Sequence, residues 1–229
     1  EYFMNNTVAK KRMDTKKLTV LAMFAALGYL CLFVFRFKVQ FLSLEIKDVF
    51  ITVSGFILGP LTAVGVAFAE ALLEMVTLSD TGIYGAVMNF AGSAAFAGTA
   101  SLVYKYRKSL YGAFFGLLCG IAVMTGVMIF MNILITPLYM KTSREAVYAL
   151  IPPLLLPFNL IKGFLNSALT CLLYKPLSEA LKGIGMLPKA DSFRFDKRSA
   201  LVLAVSVIVV AASSAALIIF MQGSVEWGR

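Results

Sequence analysis

The sequence predicts an all-α integral membrane protein: a six-helix bundle followed by a seventh, C-terminal transmembrane helix. Three observations carry that expectation. Of the 229 residues, 60% are hydrophobic and only 14% charged, with a mean hydropathy of +0.85, more apolar surface than a soluble domain of this size hides. Several uncharged runs reach the roughly 20 residues that a bilayer crossing requires. Lys and Arg cluster beside the ends of those runs, as the positive-inside rule expects. The formal charge of +9 therefore reads as membrane topology, and nucleic acid is excluded as a partner.

Residues 1–17 form a cytoplasmic N-terminal segment, in which Glu1, Tyr2 and Phe3 ahead of Met4 read as a tag remnant. Apolar runs then cover residues 18–35, 49–78, 84–104, 111–138, 154–173 and 200–221. The second run is too long for one span, since its thirty residues make roughly 45 Å of helix. Gly59-Pro60 interrupts it, a pair that breaks helices.

Charge placement decides whether that run is one helix or two. With two helices and a cytoplasmic N-terminus, fourteen Lys and Arg fall inside and six outside, Arg36, Lys38, Lys47, Lys141, Arg144 and Arg229, with Lys162 left in the membrane. One helix would move nine of the fourteen to the outside, against the positive-inside rule. The bundle thus occupies residues 18–182, a basic cytoplasmic linker 183–198, and the additional helix and tail 199–229. Small residues from Ala211 to Ala216 suit the last helix to close packing.

Polar residues inside the membrane are the candidates for function, because a charge near the bilayer centre costs about 2.5–3.5 kcal/mol on insertion scales. Asp48, Glu70, Glu74 and Lys162 are such charges, and Asn89, Asn132 and Asn159 are amides at similar depth. Two readings stay open from spacing alone. Asn89, Asn132, Asn159 and Lys162 line a cavity open to the outside, or they are hydrogen bonds and a Glu–Lys pair that hold the helices together. Asp48 has a parallel ambiguity, between a ligand acceptor and a cap of helix 2.

Other chemistry is excluded by composition. The chain has no His, which removes His-based catalysis and most zinc sites. Cys31, Cys119 and Cys171 lie in apolar runs without metal-ligand spacing. No phosphate-binding G-x-x-x-x-G-K-[ST] occurs, so neither a catalytic residue nor a metal ligand nor an ATPase site is expected.

Several segments, in order, resemble one known family. Ala22-Met23-Phe24-Ala25-Ala26 in helix 1 is followed by Leu44-Glu45-Ile46-Lys47-Asp48, then Gly59-Pro60-Leu61. Thr81-Gly82 with Gly85 and Asn89-Phe90 lead into helix 4, and Met131-Asn132 with Pro137 close helix 5. Leu156-Pro157-Phe158-Asn159-Leu160-Ile161-Lys162-Gly163, which opens helix 6, is the most specific. Together they resemble the S components of energy-coupling-factor (ECF) vitamin transporters, of the riboflavin type. The face of Glu70 and Glu74 departs from the family pattern, and the seventh helix lies outside the resemblance.

The resemblance implies a non-catalytic, multi-pass subunit of the bacterial cell membrane that captures a vitamin from outside. Its implied partners are a transmembrane coupling protein and two ATPase subunits. Ala22 and Ala26 are then the implied docking face for the coupling protein, with internal helix packing as the alternative. The implied cargo is riboflavin, with FMN or another flavin or vitamin as alternatives, and a non-transporting structural subunit as the alternative from another class. On that reading Asn159 and Lys162 address the pyrimidine edge, where an amide both donates and accepts. Asn89 and Asn132 hold ribityl or further ring atoms, with Asp48 as a further acceptor. Leu42, Leu44 and Phe90 cover the ring faces. Free riboflavin is preferred over FMN because no intramembrane Arg faces the expected cavity.

Overall fold

The computed structural model describes residues 15–79, 81–186, 197–221 and the backbone of 226–227. The expected N-terminal segment up to residue 14, and most of the linker, at 187–196, lie outside the described residues. Helix α1 (Thr15–Val34) has 20 residues, about 30 Å at 1.5 Å per residue and enough for one crossing. A hairpin follows, strands β1 (Arg36–Val39) and β2 (Leu42–Glu45) pairing antiparallel. Gln40, at φ 54°, supplies the left-handed conformation that a two-residue connection requires.

The long second run divides at Gly59-Pro60. Helix α2 (Lys47–Leu58) ends at Gly59, whose φ of 109° continues no helix. Helix α3 (Pro60–Thr77) starts on the proline, which lacks the N–H that a first-turn residue does not need. The two segments are unequal, however. With 12 residues, α2 reaches only about 18 Å.

Helices α4 (Ile83–Tyr106) and α5 (Leu110–Met140) come next. Ser109 caps α5 by accepting from the Gly112 N–H at 3.1 Å. Along α5, Gly116 and Gly120 let α4 approach closely: a Cβ there would lie 2.7 and 2.8 Å from the carbonyl oxygens of Ala100 and Phe96. Helix α6 (Arg144–Leu150) runs through a π-helical turn, Ile151–Leu155, into α7 (Leu156–Gly183). Pro152 and Pro153 stand in that turn, where their missing N–H groups disrupt the regular ladder.

Helix α8 (Lys197–Met221) lies against α7, and a last strand, β3 (Glu226–Trp227), pairs with β1. With α6 and α7 taken as one, the described chain has seven helical rods. Six of them are long and apolar enough to cross a membrane; α2 is the exception. The all-α membrane bundle is thus observed, with one addition that the sequence reading lacked, a three-stranded sheet of order β2-β1-β3 at one end.

Two apolar clusters hold that end together. One joins Ile51, Val66, Phe96, Leu117 and Met124 of α2 to α5. The other joins Val39, Leu42 and Leu44 of the hairpin to Leu155 and Phe158 of the α7 rod and Leu217 of α8. The polar site lies between them.

Candidate functional site

Six charged side chains, Arg36, Glu45, Lys47, Asp48, Glu74 and Lys162, gather beside the hairpin. The first turn of α2 places Lys47 and Asp48 inside the bundle, 2% and 1% exposed. Lys47 Nζ lies 3.1 Å from Glu45 Oε2 and 2.5 Å from Glu74 Oε2. Arg36 Nη2 reaches Glu74 Oε1 at 3.3 Å and Arg36 Nε lies 3.6 Å from Glu45 Oε1. Arg36 also donates to the Leu78 carbonyl at the end of α3, at 2.8 Å. Two cations and two carboxylates thus fasten the hairpin to α2 and α3.

Glu45 lies outside the spanning helices, and its titration reflects this setting. Burial pushes its carboxyl upward, but the charges of Lys47, Lys162 and Arg36 outweigh burial and hold it at about 2. Its backbone is also tied down, since the Asn166 amide of α7 donates to the Glu45 carbonyl at 3.0 Å.

Beside this cluster opens a small cleft, with about 70 Å³ of water-accessible space. Asn89 of α4 and Asn159 and Lys162 of α7 line it, with Ser93, Thr81 and Tyr139 as further polar groups. Phe41, Leu42, Met88, Met124, Met128 and Phe158 form apolar walls. Amide, hydroxyl and ammonium groups against aromatic and thioether walls can bind a flat, neutral, hydrogen-bonding molecule. Among the described residues no group of three or more His, Cys, Asp or Glu is placed to hold a metal ion.

The sequence-derived candidates divide into two sets. Leu42, Asn89, Asn159 and Lys162 stand together on the cleft wall. Asp48, Asn132, Leu44 and Phe90 do not line it. Asp48 sits one layer deeper, accepting from Ser93 Oγ at 2.5 Å and lying 3.9 Å from Lys162 Nζ. The capping alternative is corrected: Ile46 is the N-cap of α2 and no side chain caps it, because Asp48 already lies inside the first turn. Asn132 bonds within α5, donating to the Met128 carbonyl at 2.8 Å and accepting from Thr136 Oγ1 at 2.9 Å; Asn159 likewise donates to the Leu155 carbonyl at 2.7 Å, but stands on the cleft wall. Leu44 is core, 1% exposed. Phe90 turns to an edge-on contact with Phe68, with ring centroids 5.6 Å apart.

Three features differ from expectation. The expected Glu–Lys pair exists, but its lysine is Lys47, which had been assigned to the outer loop. Arg36, also assigned there, lines the cleft, although both neighbouring carboxylates claim its guanidinium. Ala22 and Ala26 are exposed on one face of α1, so internal packing does not account for them. The alternation Phe37, Val39, then Leu42, Leu44 was the available signal for the hairpin. Nothing in the sequence marked Tyr139 or the three methionines of the wall.

A ligand cleft enclosed by a small polytopic bundle, with its polar groups on the walls, defines a membrane protein that captures small molecules. Residues 16–174 match the family model described as "ECF transporter, substrate-specific component", and the chain belongs to that family. It is similar to the riboflavin transporter RibU of Staphylococcus aureus (strain TCH60), 30% identical over 192 residues that cover 79% of this chain and 100% of that protein. It is 29% identical to the riboflavin transporter FmnP of Bacillus subtilis (strain 168), over 71% of this chain and 92% of that one. A solved structure, "Structure and mechanism of the S component of a bacterial ECF transporter", superposes with a TM-score of 0.63 at 29% identity, covering 73% of this chain and 98% of the other.

Proposed function

We propose that this chain captures riboflavin at the outer face of the bacterial cell membrane and hands it to an energising module made of a transmembrane coupling protein and two ATPase subunits. The observation that carries this reading is the convergence of Asn89, Asn159 and Lys162 on one cleft. It is supported by the names of the relatives, which are riboflavin transporters along most of their length. The imide edge of a flavin offers an N–H between two carbonyl oxygens. An amide answers the first and an ammonium or second amide the others. Phe158, Phe41 and the methionines supply the apolar contacts that the ring faces need.

Orientation follows from the charges. Their sequence placement, fourteen Lys and Arg expected inside against six outside, supports a cytoplasmic N-terminus and an external cleft. Free riboflavin is favoured over FMN, now for a different reason than the absence of an Arg. Arg36 does stand at the cleft, but Glu45 and Glu74 neutralise it, 3.6 and 3.3 Å away. A phosphate would have to displace a buried carboxylate. The exposed pair Ala22 and Ala26 is the proposed docking face for the coupling protein, because small residues let two helices approach closely.

Purification in mild detergent followed by a visible absorption spectrum tests this reading. The expected result is a retained chromophore with a flavin spectrum, exchangeable by riboflavin in preference to FMN. A colourless protein that takes up neither compound would favour a structural subunit instead.

A further inference from the structure

The family match ends at residue 174, yet the chain beyond it returns to the cleft. β3 pairs antiparallel with β1, Trp227 opposite Phe37 and Glu226 opposite Lys38. β1 is the middle strand of the sheet. On its other edge runs β2, whose Leu42 and Ser43 line the cleft together with Arg36 of β1. A second, independent contact comes from side chains. Leu217 of α8, 8% exposed, packs in the same apolar cluster as Val39, Leu42, Leu44 and Phe158. Along its length α8 lies against α7, the helix that carries Asn159 and Lys162. The C-terminal extension therefore holds both walls of the mouth, the hairpin and α7.

This arrangement has a mechanical consequence. A two-stranded hairpin on its own is marginal in water, and a third strand stabilises it. With β2 on one edge and β3 on the other, β1 has no free edge along the paired residues. Movement of the hairpin away from α7 and α8 disturbs the apolar cluster that Leu217 shares with Leu42 and Leu44, and movement away from β3 breaks its pairing with β1.

We infer that α8 and β3 form a strap that holds the hairpin over the cleft and sets the rate at which ligand enters and leaves. The inference rests on the cleft being the ligand site. It adds a function for the segment that the six-helix core does not contain.

The test compares three proteins with the full chain. The first ends at Met221, so that it keeps α8 and loses β3. The second is Leu217→Ala. The third is the double variant K38C/E226C, made with Cys31, Cys119 and Cys171 replaced by Ser and measured against that Cys-free parent. Riboflavin release is followed by the recovery of flavin fluorescence after dilution, and backbone amide exchange of residues 36–39 is followed without ligand. The shortened chain is expected to release riboflavin several-fold faster, and Leu217→Ala to shift the rate in the same direction by less. Oxidised K38C/E226C is expected to release it several-fold more slowly, with reductant restoring the parent rate. Amides 36–39 are expected to exchange faster in the shortened chain. Unchanged exchange at 36–39, or release rates equal in all the proteins, overturns the strap. Faster exchange in the shortened chain, in a protein that binds no riboflavin, upholds the strap and removes only the ligand reading.

Discussion

Lys47 Nζ lies 2.5 Å from Glu74 Oε2, and both side chains are only 2% exposed. This one contact joins the first turn of α2 to α3. Through Glu45, 3.1 Å from the same ammonium, it also joins the end of the hairpin. Arg36 completes a neutral set of four. Removing one partner of such a buried set leaves the others uncompensated, which costs about 3–5 kcal/mol.

Lys47→Met is therefore expected to lower stability by about that amount, read as a fall in the unfolding midpoint in detergent. Lys182→Met serves as the control. Lys182 pairs with Glu179 at 2.8 Å, but that pair is 22% and 45% exposed, and such pairs contribute about 1 kcal/mol or less. Equal losses in the two variants would show that the buried set does not hold the hairpin.

Glu45 predicts a dependence on pH. Its folded carboxyl titrates at about 2 against an ordinary value of 4.5. A carboxyl whose folded value is depressed stabilises the fold above its unfolded value, and that contribution is lost as pH falls through the folded one. The unfolding midpoint should therefore drop as pH falls from about 4.5 towards about 2, and Glu45→Gln should be less stable at pH 7 with a shallower fall. An unchanged slope in Glu45→Gln would assign the acid sensitivity to other carboxylates.

Gly28 faces the carboxyl of Glu70, whose side chain is fully buried and whose oxygens have no hydrogen-bond partner among the described residues. A Cβ on Gly28 would overlap Glu70 Oε1 and stand 2.7 Å from its Cδ. Gly28→Ala is expected to cost about 1–3 kcal/mol as overpacking, against the stabilisation of about 1 kcal/mol that Ala normally brings to a helix interior. Glu70→Ala in the same chain should recover the overpacking loss. A double variant with purely additive effects would place the two residues out of contact.

Much of this fold was legible in the sequence, because the membrane makes its demands in simple terms. Run length, the Gly59-Pro60 break and the Lys/Arg imbalance are local or additive features, and they give the rods and their order. The cleft residues on regular helices were legible too: Asn159 and Lys162 are three apart and share a face of α7. The hairpin was not, because a charged, alternating stretch such as 36–45 reads as an outer loop until its pairing is known. For the same reason Arg36 and Lys47, counted as solvated charges, turned out to be buried partners of Glu45 and Glu74. Asn132, expected from its depth to face the cleft, does not line it. Its amide meets Met128 and Thr136 on its own helix, which no spacing rule separates from facing a cavity.

Equilibrium titration of purified, ligand-free protein with riboflavin, followed by flavin fluorescence, decides whether Asn159 and Lys162 bind a flavin in the cleft. Saturation at one riboflavin per chain is expected. Affinity losses of about tenfold or more are also expected in Asn159→Ala and in Lys162→Ala, since each leaves a ligand polar group unpaired at about 1–3 kcal/mol, in variants that remain folded at the temperature of the titration. Folded variants that bind riboflavin as tightly as the unsubstituted chain would contradict that role.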